Sequence, residues 1–94
     1  MIVSFGDAET ERLAQGWRVR RFAAIEFVAR RKVRQLQIAG RLSDLRVPPG
    51  NRLEALRGDR AGPHSIRVND QHRVCFRWTS AGAEDIEIVD DHSR

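Results

Sequence analysis

Three arginines, Arg57, Arg67 and Arg73, and a closing cluster of Asp90, Asp91 and His92 are the residues whose types and spacing could do chemistry. Cleaving RNA without a metal takes a group that removes the proton of a ribose 2′-hydroxyl, a cation that holds the phosphate as negative charge builds, and an acid for the departing 5′-oxygen. All three kinds of group are present. Arginine, with a pKa above about 12, serves as the clamp rather than as acid or base, so His92 or one of the carboxylates would move the protons. The competing reading is that Arg57 and Arg73 simply form ion pairs with Asp59, Asp70 or Asp90.

Other chemistries find less support. His64, His72 and His92 with Asp90 and Asp91 match no zinc-ligand spacing, and the single Cys75 excludes both a four-thiolate site and an internal disulfide. Gly58 and Gly62 frame a turn, and no phosphate-cradling glycine motif occurs. Ser65, His64 and Asp90 name a triad on paper, but no nucleophile elbow surrounds the serine. Neither metal nor cofactor is expected.

The elements that must position these groups follow from periodicity. The run Asn51 to Trp78 reads as three consecutive strands. Leu53 and Leu56 mark the first, and the Gly58–Pro63 segment forms a turn. Ser65–Val68 alternates with Ile66 and Val68 on one side, and Asn69-Asp70-Gln71 makes a tight hairpin. His72–Trp78 then places Val74, Phe76 and Trp78 on one face and Arg73, Cys75 and Arg77 on the other. A turn over Thr79–Ala83 precedes a last strand, Asp85–Asp90, with Ile86 and Ile88 inward.

Ahead of that sheet, Met1–Phe5 reads as a short strand, and Asp7 caps a helix that runs to about Gln15 before Gly16. The strongest helical signal is Phe22 to Ala39, where Phe22, Ile25, Ala29, Val33 and Leu36 share one stripe. Gly40 ends it, and Leu42 and Leu45 anchor the crossing to the sheet. The order is β-α-α-β-β-β-β.

Ninety-four residues make one domain, 1–94, with one core. Residues 1–50 carry ten Lys or Arg against five Asp or Glu, whereas residues 51–94 carry seven against eight. Sixteen of the seventeen cations are arginine, whose planar fork grips phosphate, so a polyanion is the first partner to consider. Glu26 is the one acid between Arg12 and Asp44, which makes Arg30, Arg31, Lys32 and Arg34 on the second helix a candidate RNA-binding cluster. No leader pattern opens the chain and no apolar run nears the roughly 20 residues that span a bilayer. A cytoplasmic setting is expected, with no membrane partner.

The segments Gly50–Arg60 and Ser65–Trp78, with Val89-Asp90-Asp91-His92, resemble the HigB toxins of bacterial toxin-antitoxin modules, within the RelE/ParE superfamily. The resemblance rests on L-x-x-L-[KR]-G-D-R and S-I-R-[VI]-N-x-x-x-R-[VI]-x-F. It implies an α+β fold, two N-terminal helices packed on a twisted antiparallel sheet of four to five strands. It further implies a ribosome-dependent mRNA endonuclease, silenced by a helix-turn-helix antitoxin of the HigA type, whose complex represses its own operon by binding operator DNA through the antitoxin. By the same resemblance Arg57 contacts phosphate, Arg73 is the central-strand arginine, and Asp90 and His92 are the family's C-terminal acid and histidine. Members commonly end D-Y-H. This chain holds Asp91 in the tyrosine's place and has no tyrosine at all, and Asp91 cannot stack on a base. Two alternatives therefore stand beside the nuclease: a toxin-fold module that mainly binds its antitoxin, and a ParE-like gyrase inhibitor.

Overall fold

The Asp7 carboxylate accepts hydrogen bonds from the Thr10 backbone N–H at 2.6 Å and from its hydroxyl at 3.1 Å, satisfying an open donor at the start of α1, Ala8–Ala14. Gly16, at φ +98°, turns the chain away. In the computed structural model, which describes residues 1–56 and 62–90, the long second helix expected from Phe22 to Ala39 is two pieces: a 3₁₀ helix, Arg20–Ile25, and α2, Glu26–Ile38. Phe22 and Ile25, three residues apart, face the core in either helix type, so the apolar stripe did not reveal the junction. Ala29, Val33 and Leu36 continue that stripe and are buried.

Two further 3₁₀ turns, Leu42–Arg46 and Pro49–Asn51, lead to the sheet. It contains β1 (Glu54–Ala55), β2 (Pro63–Arg67), β3 (His72–Thr79) and β4 (Gly82–Asp90), antiparallel throughout in the order β1-β2-β3-β4. Asn69 closes the β2–β3 turn by accepting hydrogen bonds from the backbone N–H groups of Gln71 and His72.

Several expectations change. The first of the three strands shrinks to two residues, because Arg52 sits at φ +47° directly after a 3₁₀ turn and the chain is extended only from there. The β3–β4 connection is Ser80-Ala81 alone, and β4 begins at Gly82 rather than Asp85. Asp85, at φ +53°, lies at a bulge that shifts the register between Cys75 and Arg77. Met1–Phe5 does join the sheet, but through two parallel bridges, Ile2 to Ala83 and Phe5 to Ile86, and not as an antiparallel strand. Its approach explains Gly82: a Cβ there would stand 2.1 Å from the Met1 carbonyl oxygen.

The helices cover one face of the sheet. Ile66, Val74, Phe76, Ile86 and Ile88 meet Leu13, Phe22, Ala29 and Leu36 in a single core, with Leu45 buried and Leu42 packed against it as expected. Two polar residues are built into this layer. The Thr10 hydroxyl accepts the Ile88 backbone N–H at 3.0 Å, tying α1 to β4. The Asn51 side chain, fully buried, donates to the Leu45 carbonyl and to Gln35 Oε1 and accepts from Lys32 Nζ at 2.6 Å, which fastens α2 to the turn ahead of the sheet. Among the described residues no helix is long and apolar enough to cross a membrane.

Candidate functional site

Strand alternation puts every second residue of β2 and β3 on the face away from the helices, and the register sets Arg67 directly opposite Arg73 there. Ser65 faces Cys75 and Glu54 faces Ser65 in the same plane. Arg77 lies further along and is exposed. Opposed side chains in an antiparallel pair stand about 5 Å apart at Cβ, so two guanidinium groups here repel unless anions intervene. Two do. Arg67 pairs with Asp70 in the hairpin turn, and Arg73 Nη2 pairs with Glu54 Oε1 at 2.8 Å. Of the ion pairs weighed from the sequence, Asp70 takes Arg67 rather than Arg73, while Glu54, which the sequence did not suggest, takes Arg73.

Arg73 is the most firmly held cation of the face, its side chain only 13% exposed. Nε donates to Ser65 Oγ at 2.8 Å and Nη2 also donates to the Arg52 carbonyl at 3.0 Å. Arg52 can present that carbonyl because of its left-handed backbone. Ser65 is fully buried although it sits on the face without helices, with Arg73 bonded to its hydroxyl. Guanidinium groups fixed in this way are preorganised to hold a tetrahedral anion, since little side-chain freedom remains to be lost on binding.

Asp90 ends β4 opposite His72, on the alternation that carries Ile86 and Ile88, and it accepts a hydrogen bond from Gln71 Nε2 at 3.1 Å. The register therefore pairs Arg73 with Val89 and sets Asp90 on the other side of the strand. His72 Nδ1 is buried with no hydrogen-bond partner among the described residues. Arg57, Asp91 and His92 lie outside the described residues. His64 points into the core side, stacked on Phe76 with a centroid distance of 6.1 Å, and its Nδ1 donates to the Gly62 carbonyl. Ser65, the next residue, points to the opposite face, so the paper triad of Ser65, His64 and Asp90 does not assemble.

The four cations of α2 do not form one patch. Arg30 is spent inside the fold: Nε and Nη2 donate to the Leu13 and Trp17 carbonyls at 2.9 Å each, closing the end of α1, and Nη1 meets Glu26 at 3.4 Å. Lys32 holds Asn51 on the opposite flank. Burial lowers the Lys32 pKa below the ordinary lysine value of 10.5, and the neighbouring charges of Arg31 and Arg67 lower it further. Arg31 and Arg34 are exposed, and Arg34 borders a groove of about 390 Å³ floored by Ile2, Phe5, Ala14 and Val33.

Glu54 and Asn51 are residues that sequence reasoning passed over, and Ser65 was weighed only as part of the paper triad. Ser65 carried a signal, since it shares the alternation of Arg67. Glu54 carried none, because its partner depends on the register of β1 across residues 57–61.

A family model for HigB-like toxins, described as the RelE-like toxin of the type II toxin-antitoxin system HigB, matches residues 5–92. Toxin HigB-1 of Vibrio cholerae serotype O1 is 48% identical over 61 residues, 65% of this chain and 64% of that protein. An uncharacterised protein of Haemophilus influenzae is 33% identical over 66 residues, 70% of this chain and again 64% of its own length. The chain thus spans slightly under two thirds of the curated relatives it matches. With the family model covering nearly all of the sequence and an α+β structure of helices on a four-stranded antiparallel sheet, the chain belongs to the HigB-like toxins, the RelE-like toxins of type II toxin-antitoxin systems.

Proposed function

We propose that the protein is the toxin of such a module and acts as a ribosome-dependent mRNA endonuclease in the cytoplasm. The observation that carries this reading is the pair of guanidinium groups, Arg67 and Arg73, in register on the sheet face that the helices leave open. Arg73, helped by Arg67 and Arg57, stabilises the phosphorane formed when a ribose 2′-oxygen attacks the adjacent phosphate. Of the C-terminal groups, Asp91 or His92 supplies the proton of the departing 5′-oxygen, while Asp90 lies across the strand from the arginines. Arg31 and Arg34, exposed on α2, meet ribosomal RNA, while Arg30 and Lys32 act from within the fold. A helix-turn-helix antitoxin of the HigA type neutralises the toxin and carries the complex to operator DNA.

A clamp of this kind works by being rigid before substrate arrives, which is how preorganised charges outperform water. Three contacts on two of its nitrogens supply that rigidity to Arg73. The experiment is reconstituted translation with a defined message, mapping cuts by primer extension for the wild type and for Arg73→Ala. Cuts that vanish with the arginine support the nuclease. A second reading, a module that binds its antitoxin without cutting, is favoured by Asp91 standing where the family has tyrosine. Intact messages together with tight antitoxin binding support that reading instead, and loss of DNA supercoiling in a gyrase assay supports a ParE-like action.

A further inference from the structure

The open sheet face has a carboxylate of its own. Glu54 lies opposite Ser65, Arg73 is bonded to that same serine, and the Glu54 Oε1 to Arg73 Nη2 distance is 2.8 Å. Asp90 sits across the strand from this face. Of the other acids on the Arg73 side, Asp70 is taken by Arg67, while Glu84 accepts the Thr79 hydroxyl and Glu87 stands beside Gly6, both toward β4 and away from β1. Glu54 is 58% exposed and Arg73 is, among the described residues, its one partner, so Oε2 is open to solvent and to any ligand.

We infer that Glu54 is the proton acceptor of the phosphodiester site, an assignment that rests on the nuclease reading above. Arg73 Nη1 has no hydrogen bond among the described residues and is the free arm of the clamp. A phosphate held by that arm lies within one guanidinium's width of Glu54. The 2′-oxygen next to the scissile phosphorus is then within hydrogen-bond reach of Oε2, the geometry a general base requires. In the step, Oε2 takes the 2′-hydroxyl proton, the 2′-oxygen forms a bond to phosphorus, and the bond from phosphorus to the 5′-oxygen breaks. The 5′-oxygen leaves with the proton assigned above to the C-terminal groups. The products are a 2′,3′-cyclic phosphate and a 5′-hydroxyl, and Glu54 returns its proton to solvent. Ser65 on Nε and the Arg52 carbonyl on Nη2 still hold Arg73 when Glu54 is replaced.

The test is single-turnover cleavage of a ribosome-bound message by the wild type, Glu54→Gln and Glu54→Ala, with formate added to the last, and melting curves for each protein. The expected result is a rate about 10²- to 10⁴-fold lower for Glu54→Gln, the usual reach of a general base. Formate should restore part of the Glu54→Ala rate. A Glu54→Gln protein that cuts within tenfold of the wild type overturns the assignment. So does a slow Glu54→Ala protein that formate leaves unchanged, which makes Glu54 only a support for Arg73. A wild type that leaves messages whole overturns the nuclease reading, and the assignment falls with it.

Discussion

Replacing Arg73 by methionine keeps most of the aliphatic stem and deletes the guanidinium. Ser65 Oγ, fully buried, then loses its donor, at a cost of about 1–3 kcal/mol for an orphaned buried polar group. The Glu54 pair adds less than about 1 kcal/mol, because its carboxylate is largely in water. Removing a cation that stands directly across from Arg67 returns a comparable amount. The net loss is therefore set by the serine. For a domain of this size, 1 kcal/mol moves Tm by about 4–8 °C, so thermal melting followed by circular dichroism should show a fall of roughly 5–20 °C with a folded baseline. In a Ser65→Ala background the same change should lower Tm by less than about 5 °C, since no hydroxyl is left to orphan. Equal effects of Arg73→Met in the two backgrounds would refute the claim that Arg73 is held through Ser65.

Three other outcomes follow from the fold. Thr10→Val leaves the buried Ile88 N–H unpaired and removes an Asp7 contact, so it should destabilise by about 1–3 kcal/mol in urea unfolding, whereas Thr10→Ser stays within about 1.5 kcal/mol of the wild type. Gly82→Ala places a methyl 2.1 Å from the Met1 carbonyl at φ +130° and should detach the N-terminal segment from β4, seen as fast amide exchange at Val3 and Gly6; retained protection there contradicts the bridge. Lys32 should titrate below 10.5, read from the chemical shift of its ε-carbon. A base depressed by folding is penalised at all pH values below its folded pKa, and the penalty is relieved as pH rises from that value to 10.5, so its contribution to stability climbs in that alkaline window. A midpoint at or above 10.5 contradicts the burial.

Periodicity exposed the layers but not the pairings. The face assignments of Val74, Phe76, Trp78, Arg67 and Arg73 needed only strict two-residue alternation, and the α2 stripe needed only the helical repeat. The Asp7 cap was legible because a carboxylate just before a helix meets its open backbone donors. What stayed hidden depends on long-range contacts. Gly82 looked like the middle of a turn until the N-terminal segment was seen to need the space above it. Arg30 looked like surface charge, yet the end of α1 lies where its guanidinium can close two carbonyls. Glu54 meets Arg73 only through the β1–β2 register, which no local pattern specifies. Of the site, the arginines of the open face were readable, whereas their anchors were not.

The most direct measurement is the chemistry of RNA ends recovered from translating ribosomes treated with the purified protein. The account predicts fragments ending in 2′,3′-cyclic phosphate, and their loss with Arg73→Met while that protein remains folded. Full-length messages at every protein concentration, or cuts that persist at the same rate without Arg73, would contradict it.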